Sequence, residues 1–368
     1  MAVLTLLGGL VGLVITGGAI VSGASTIGLK LGLNPLVVGL TIVAAGTSAP
    51  ELAVVWRAAD QGDTSLALGS VIGSNIANVL LVVGIVAIIG AIPVIQRTRR
   101  VDLPVMIAAS IGTYALASDG AITPRDGVFL LIGLVTYIGI TLRHAMSEGP
   151  EVTNDDATSP PAGPPRPTAK RTLLAIGIFA VGAVGVAISA QFVVSGAEEI
   201  ALSLGVPELV VGLTVLAVGT SAPEIVTSII AAVRGGSDVA IGNAIGSNVF
   251  NLLFVLGLVS ATHSRLPVDD ELIRLDLPVM LTAAAICLPF AITGAAITRW
   301  EGFALVGFYS GYTSYLVLNG LDNRAAPVVG IATIVAIAPV GALALREFRG
   351  DQQRRRLRRR STTPPPST

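Results

Sequence analysis

Two long apolar runs of this chain carry the same hexapeptide, GTSAPE, once at residues 46–51 and once at 219–224. Each copy sets a proline and a glutamate where a membrane-spanning helix accommodates neither readily. Proline removes a backbone donor and clashes one turn back, and a carboxylate at the bilayer centre costs at least about 2.5–3.5 kcal/mol on insertion scales. Sliding the chain along itself until the two hexapeptides coincide lays LVVGLTIVAAGTSAPEL (36–52) on LVVGLTVLAVGTSAPEI (209–225), and LGSVIGSNIANVLLVVG (68–84) on IGNAIGSNVFNLLFVLG (241–257). Over 36–84 there is no gap and 26 of 49 positions are identical. A weaker echo, RVDLPVM at 100–106 and RLDLPVM at 274–280, extends the unit to about 1–143 and 172–319. Duplication of a purely structural helix pair would explain repeated Leu, Val and Gly, but not repeated intramembrane glutamates.

The chain is 52% hydrophobic and 12% charged, with a mean hydropathy of +0.80, against about 25% charged residues in soluble domains. The expected class is an all-α membrane protein. Runs of about 20 apolar residues predict eleven spans: 2–29, 34–57, 66–92, 101–118, 127–143, 172–202, 208–233, 239–261, 275–293, 302–319 and 325–345. The opening MAVLTLLGG lacks the basic n-region of a cleaved signal, so the first run reads as a spanning helix. Residues 144–171 read as a polar, Pro-rich cytoplasmic linker, 325–345 as an extra helix outside the repeats, and 346–368 as a basic disordered tail. The lone Cys287 excludes a disulfide within one chain. With the N-terminus outside, 18 Lys and Arg fall on the inner side and 5 on the outer, which predicts an N-out, C-in multi-pass protein of the cell membrane.

Each repeat holds five helices. Five is odd, so the second must thread the membrane in the opposite sense, giving two inverted-topology repeats. That architecture, with broken helices, places ion sites near the midplane. Pro50 and Pro223 leave the carbonyls of Gly46 and Gly219 without their helical donors. Thr47, Ser48 and Glu51 lie three or four apart and can share a helix face, as can Thr220, Ser221 and Glu224. The third and eighth helices add Ser74 with Asn78 and Ser247 with Asn251, each pair at i, i+4. Gly69, Gly73, Gly242 and Gly246 allow these helices to pack closely. Carboxylates, hydroxyls, amide oxygens and carbonyls, without thiolate or imidazole, form a hard-cation ligand set that suits Ca²⁺ and equally several Na⁺.

The paired motifs GTSAPEL…GSNIAN and GTSAPEI…GSNVFN resemble the two alpha-repeats of the cation/Ca²⁺ exchanger superfamily, and within it the prokaryotic Na⁺/Ca²⁺ exchangers. The resemblance covers ten of the eleven helices. It implies an antiporter exchanging Na⁺ for Ca²⁺ by alternating access, its first and sixth helices sliding across a fixed core. It implies that Glu51 and Glu224 are central cation ligands and that Thr47, Ser48, Ser74, Asn78, Thr220, Ser221, Ser247 and Asn251 line the subsites. The carbonyls of Ala44 and Ala217 match backbone ligand positions. Asn251 stands where K⁺-coupled relatives carry Asp, which argues against K⁺ coupling. Expected partners are transported Ca²⁺ and Na⁺ and membrane lipid, with no permanently bound cofactor, no nucleic acid and a functional monomer.

The alternative within this class is H⁺/Ca²⁺ exchange. An intramembrane hydrolase could also use two buried carboxylates, but gives the hydroxyls and amides no role, and a channel would need a continuous pore. Asp102 and Asp276 read as helix caps, His144 and His263 as solvated histidines, and Glu198 and Glu199 equally as a solvated helix end or as a lure for cations at the mouth.

Overall fold

A computed structural model of the chain describes residues 1–94, 96–147, 167–206, 217–293, 296–333 and 335–336. Most of the linker, the first nine residues of the predicted seventh helix, the end of the predicted eleventh and the tail lie outside these residues. The helices are α1 (Ala2–Leu31), α2 (Pro35–Asp60), α3 (Thr64–Ile89), α4 (Leu103–Ala117) and α5 (Pro124–Ser147), then α6 (Ala169–Ser203), α7 (Ala222–Val233, preceded by the turn Ala217–Thr220), α8 (Ser237–Thr262), α9 (Leu277–Thr293) and α10 (Arg299–Gly320). A further helical stretch covers 326–333. Six of these, α1, α2, α3, α5, α6 and α8, are long and apolar enough to cross a membrane. Apolar side chains point outward, with Leu4, Val135 and Val181 among the exposed ones, while the centre holds buried polar groups. That distribution suits a lipid surround.

α1 and α6 cross as an antiparallel pair in which small residues let backbone meet backbone. A Cβ on Gly9 would fall 2.7 Å from the Val193 amide nitrogen, and one on Gly23 would fall 2.8 Å from the Ala175 carbonyl. At the matching positions of the second repeat, Gly182 faces Ile20 and Gly196 faces Leu6 in the same manner, at 2.9 and 2.6 Å from their amide nitrogens. Behind this pair stand α2, α3, α7 and α8. Here α8 lies along the first part of α2, where Gly39 and Gly242 abut. Gly69 and Gly73 show no comparably close neighbour among the described residues. Outermost, α10 packs on the end of α3 through Gly302 and Gly84, and α5 packs on the end of α8 through Gly127 and Gly257.

Among the described residues, four two-residue strands tie the ends. β1 (Ile92–Pro93) pairs with β4 (Ala296–Ile297), and β2 (Ala121–Ile122) pairs with β3 (Leu266–Pro267), both antiparallel. Since β1 and β2 flank α4, the two pairs sit at opposite ends of that helix.

Wide π turns interrupt the helices at Gly39–Val43, Asn78–Val83, Thr98–Asp102, Asn251–Leu256 and Leu272–Asp276. The closing asparagine of each GSNxxN motif opens one. The turns before α4 and α9 also correct the capping expectation. Asp102 keeps helical backbone angles and makes no cap bond; its carboxylate is fully buried, with the Arg97 Nε at 3.8 Å. Asp276 accepts a hydrogen bond from the Tyr312 hydroxyl at 2.6 Å. A π turn continues the helix through the aspartate, so no free amides remain there to cap.

Candidate cation site

Each GTSAPE segment breaks its helix at the serine. Ser48 has φ −80° and ψ −2°, Ser221 φ −89° and ψ 1°, and in both a new helix starts with Ala-Pro immediately after. Proline suits this first turn because its missing donor would be unsatisfied there in any case. The glutamate follows in the same first turn, so Glu51 and Glu224 face the positive end of a helix dipole.

The structure buries most of the predicted side chains and brings several of them together. Thr47, Ser48, Glu51, Ser74, Asn78, Ser221, Glu224, Ser247 and Asn251 are all essentially inaccessible, none exposing more than 1% of its surface. Thr47 Oγ1 meets Ser247 Oγ at 3.2 Å, joining α2 to α8. Ser74 Oγ and Thr220 Oγ1 stand 3.5 Å apart, joining α3 to the turn before α7. The Thr47 and Ser247 hydroxyls approach Glu224, whose carboxylate lies beside that of Glu51. Yet all four carboxylate oxygens, the Ser48 and Ser221 hydroxyls and both amide atoms of Asn78 and Asn251 complete no hydrogen bond among the described residues. Buried polar groups are overwhelmingly hydrogen-bonded, and unpaired buried charge is costlier still. This concentration of oxygens fits a bound cation, whose coordination would satisfy them. No group of three or more His, Cys, Asp or Glu converges among the described residues, so the neutral oxygens would have to complete the shell. That is the pattern of a hard cation.

Backbone ligands are less simply placed. The Ala44 carbonyl accepts the Ser48 amide at 2.9 Å and faces the Thr47 hydroxyl at 3.3 Å, so it is engaged rather than open. Ala217 begins the turn Ala217–Thr220.

Sequence reading missed Asn243, Thr227 and Ser228. Asn243 Nδ2 donates to Ser228 Oγ at 2.9 Å, Thr227 Oγ1 at 3.1 Å and the Glu224 carbonyl at 3.5 Å, and its Oδ1 lies 3.2 Å from Thr47 Oγ1. Their counterparts in the first repeat are Ser70, Val54 and Val55, so a search for repeated polar residues passes over them. His263 departs from the solvated expectation too: its Nε2 lies 3.1 Å from Asp60 Oδ1 and its ring stands edge-on to Trp56. Glu198 and Glu199 are exposed, as expected.

Comparison with known proteins finds relatives over most of the chain. The family model described as sodium/calcium exchanger protein matches residues 1–143 and 174–318. CaxA of Alkalimonas amylolytica, which carries an antiporter name, is 36% identical over 326 residues, covering 87% of this chain and 99% of that relative. The sodium/calcium exchanger MaX1 of Methanosarcina acetivorans is 31% identical over 339 residues, covering 84% and 96%. Among solved structures, the sodium-calcium exchanger NCX_Mj soaked with Na⁺ superposes with a TM-score of 0.71 at 29% identity, over 84% of this chain and 96% of that one.

Proposed function

The chain belongs to the sodium/calcium exchanger protein family and is a multi-pass membrane antiporter of Ca²⁺ against a second cation; we propose that this second cation is Na⁺, with H⁺ the alternative. The observation that carries the reading is the buried oxygen set shared by the two halves: Glu51 and Glu224 with the oxygens of Ser48, Ser221, Asn78 and Asn251. With both glutamates ionised the site holds −2. One Ca²⁺ neutralises it, while three Na⁺ would leave +1, so exchange at three to one would move net charge and respond to membrane voltage. Thr47, Thr220, Ser74 and Ser247 complete the oxygen ligands, and backbone oxygen comes from Ala217 and from the lone pair of the Ala44 carbonyl that the Ser48 amide does not take. Asn251 adds an oxygen without charge, which disfavours K⁺ as a third ion. The match to MaX1, a protein named as a sodium/calcium exchanger, supports Na⁺.

Two inverted five-helix repeats plus an eleventh helix, N-out and C-in, form the architecture of this reading. Its support is the reciprocal packing of Gly9 and Gly23 with that of Gly182 and Gly196, and the Lys and Arg bias toward one side. Alternating access follows from α1 and α6 moving together across α2, α3, α7 and α8. α1 packs along Ala222–Val233, whereas α6 meets α2 chiefly around Ala44–Thr47, so the two movers grip the core unequally, as a state open to one face requires. The protein acts in the cell membrane as a monomer.

The test is flux into proteoliposomes. An outward Na⁺ gradient drives Ca²⁺ uptake without K⁺ and without a pH gradient. Uptake driven by a pH gradient and indifferent to Na⁺ would establish H⁺ coupling instead.

A further inference from the structure

Thr47 has one hydroxyl proton and three acceptors within hydrogen-bond distance, the Ala44 carbonyl at 3.3 Å, Asn243 Oδ1 at 3.2 Å and Ser247 Oγ at 3.2 Å, while the Glu224 carboxylate that it approaches completes no hydrogen bond with it. Where that proton points decides what Thr47 and Ala44 can offer a cation. A hydroxyl ligates through its lone pairs with its proton turned away, and a carbonyl ligates best when its lone pairs are not already given to donors.

The Asn243 amide is held in one orientation by its other neighbours. Thr227 Oγ1 gives its proton to the Pro223 carbonyl at 2.7 Å, so toward Asn243 it can only accept. Ser228 Oγ faces the Ala240 carbonyl at 3.4 Å and likewise accepts from Asn243. The Glu224 carbonyl can do nothing but accept. Three acceptors on one side require Nδ2 there, and Oδ1 is thereby fixed toward Thr47. Asn243 itself exposes only 1% of its surface, so water does not compete for this arrangement. In the other half, Val54, Val55 and Ser70 occupy the matching positions, and none of them carries an amide side chain.

Resting on the cation-site reading above, we propose that Asn243 is a positioning residue that draws the Thr47 proton to its Oδ1, leaving the Thr47 lone pairs, and the one lone pair of the Ala44 carbonyl that the Ser48 amide does not take, to the transported cation. The two halves of the site are then unequal. The Thr47 side is preset by the buried amide of Asn243, where the other half carries Ser70. Ca²⁺, which needs 6–8 oxygens at 2.3–2.6 Å, gains most from ligands oriented in advance.

The experiment is a double-mutant cycle read by Ca²⁺ titration of the purified, detergent-solubilised protein, with Na⁺-driven flux alongside. Asn243→Ala and Thr47→Val each weaken Ca²⁺ binding about tenfold, the scale of one hydrogen bond to a charged site. The double variant is no weaker than Thr47→Val alone, because without the hydroxyl there is no proton to place. In the Thr47→Ser background, which keeps the hydroxyl, Asn243→Ala again costs about tenfold. Losses that multiply in the double variant would show that Asn243 acts by packing, and would overturn the proposal while leaving the site intact. Should Asn243→Ala fail to fold, Asn243→Ser, the residue of the other half, serves in the same cycle with the same two outcomes. Wild-type protein that binds no Ca²⁺ would overturn the cation-site reading itself, and the proposal with it.

Discussion

Replacing Gly242 by alanine tests how closely the site depends on backbone contact outside it. An alanine Cβ there would lie 2.6 Å from the Leu36 carbonyl oxygen and 3.0 Å from the Leu40 nitrogen, both main-chain atoms with no rotamer to move. Restoring ordinary contact at about 3.4 Å means parting α2 and α8 by about 0.8 Å, and overpacking of this kind costs about 1–3 kcal/mol. Further along the same interface, Thr47 meets Asn243 and Ser247 at 3.2 Å each. The same displacement carries both pairs to about 4.0 Å, beyond hydrogen-bond reach. Two net hydrogen bonds at about 1 kcal/mol each amount to about thirtyfold in Ca²⁺ affinity. The assay pairs Ca²⁺ titration with thermal unfolding of the detergent-solubilised protein. Gly112→Ala and Gly139→Ala are the controls, since neither Cβ would meet anything within 4 Å; both should keep Ca²⁺ affinity and gain up to about 1 kcal/mol from helix propensity. A Gly242→Ala protein with wild-type affinity and wild-type melting would refute the argument, because the helices would then have room that the geometry denies them.

Glu51→Gln and Glu224→Gln should each abolish Ca²⁺ exchange in a protein that still elutes as one folded species, since one remaining charge cannot offset a divalent ion in a site this buried; near-normal transport in either would remove that residue from the site. Asn251→Asp adds a third potential carboxylate and should make flux sensitive to K⁺ or pH. Profiles that superimpose on wild type would mean Asn251 does not face the ions. Tyr312→Phe deletes the donor to Asp276 and should lower stability by about 1–3 kcal/mol without changing Ca²⁺ affinity; an altered affinity would connect that pair to the transport site.

What the sequence made legible were the parts that occur twice. Glu51 and Glu224, the prolines before them and the GSNxxN asparagines announced themselves because duplication set each beside its copy, and the structure buries both glutamates and both closing asparagines. Asn243, Thr227 and Ser228 occur once, opposite Ser70, Val54 and Val55, so the same comparison that found the glutamates made these look incidental. Asp102 and Asp276 misled for a different reason. An acidic residue beside Leu-Pro is the usual mark of a helix start, but π turns carry the helix back past both aspartates, and hydrophobic periodicity does not register a turn widened by one residue. The two-residue strands were beyond reach, since no alternation can be read in so short a run and each finds its partner in the other half of the chain.

Those strands bear on how the chain is made. β1 and β2 belong to the first half and close on β4 and β3 of the second. A first half emerging alone from the ribosome therefore has two strands with nothing to pair against, and α3 and α5 still lack α10 and α8. Neither half is a finished domain waiting for its twin; they are completed by exchange, and the last strand to arrive is β4, which ends at Ile297. Until then the first half must rest in the bilayer unfastened, so the order of synthesis, not only the order of helices, sets when the ion site first exists.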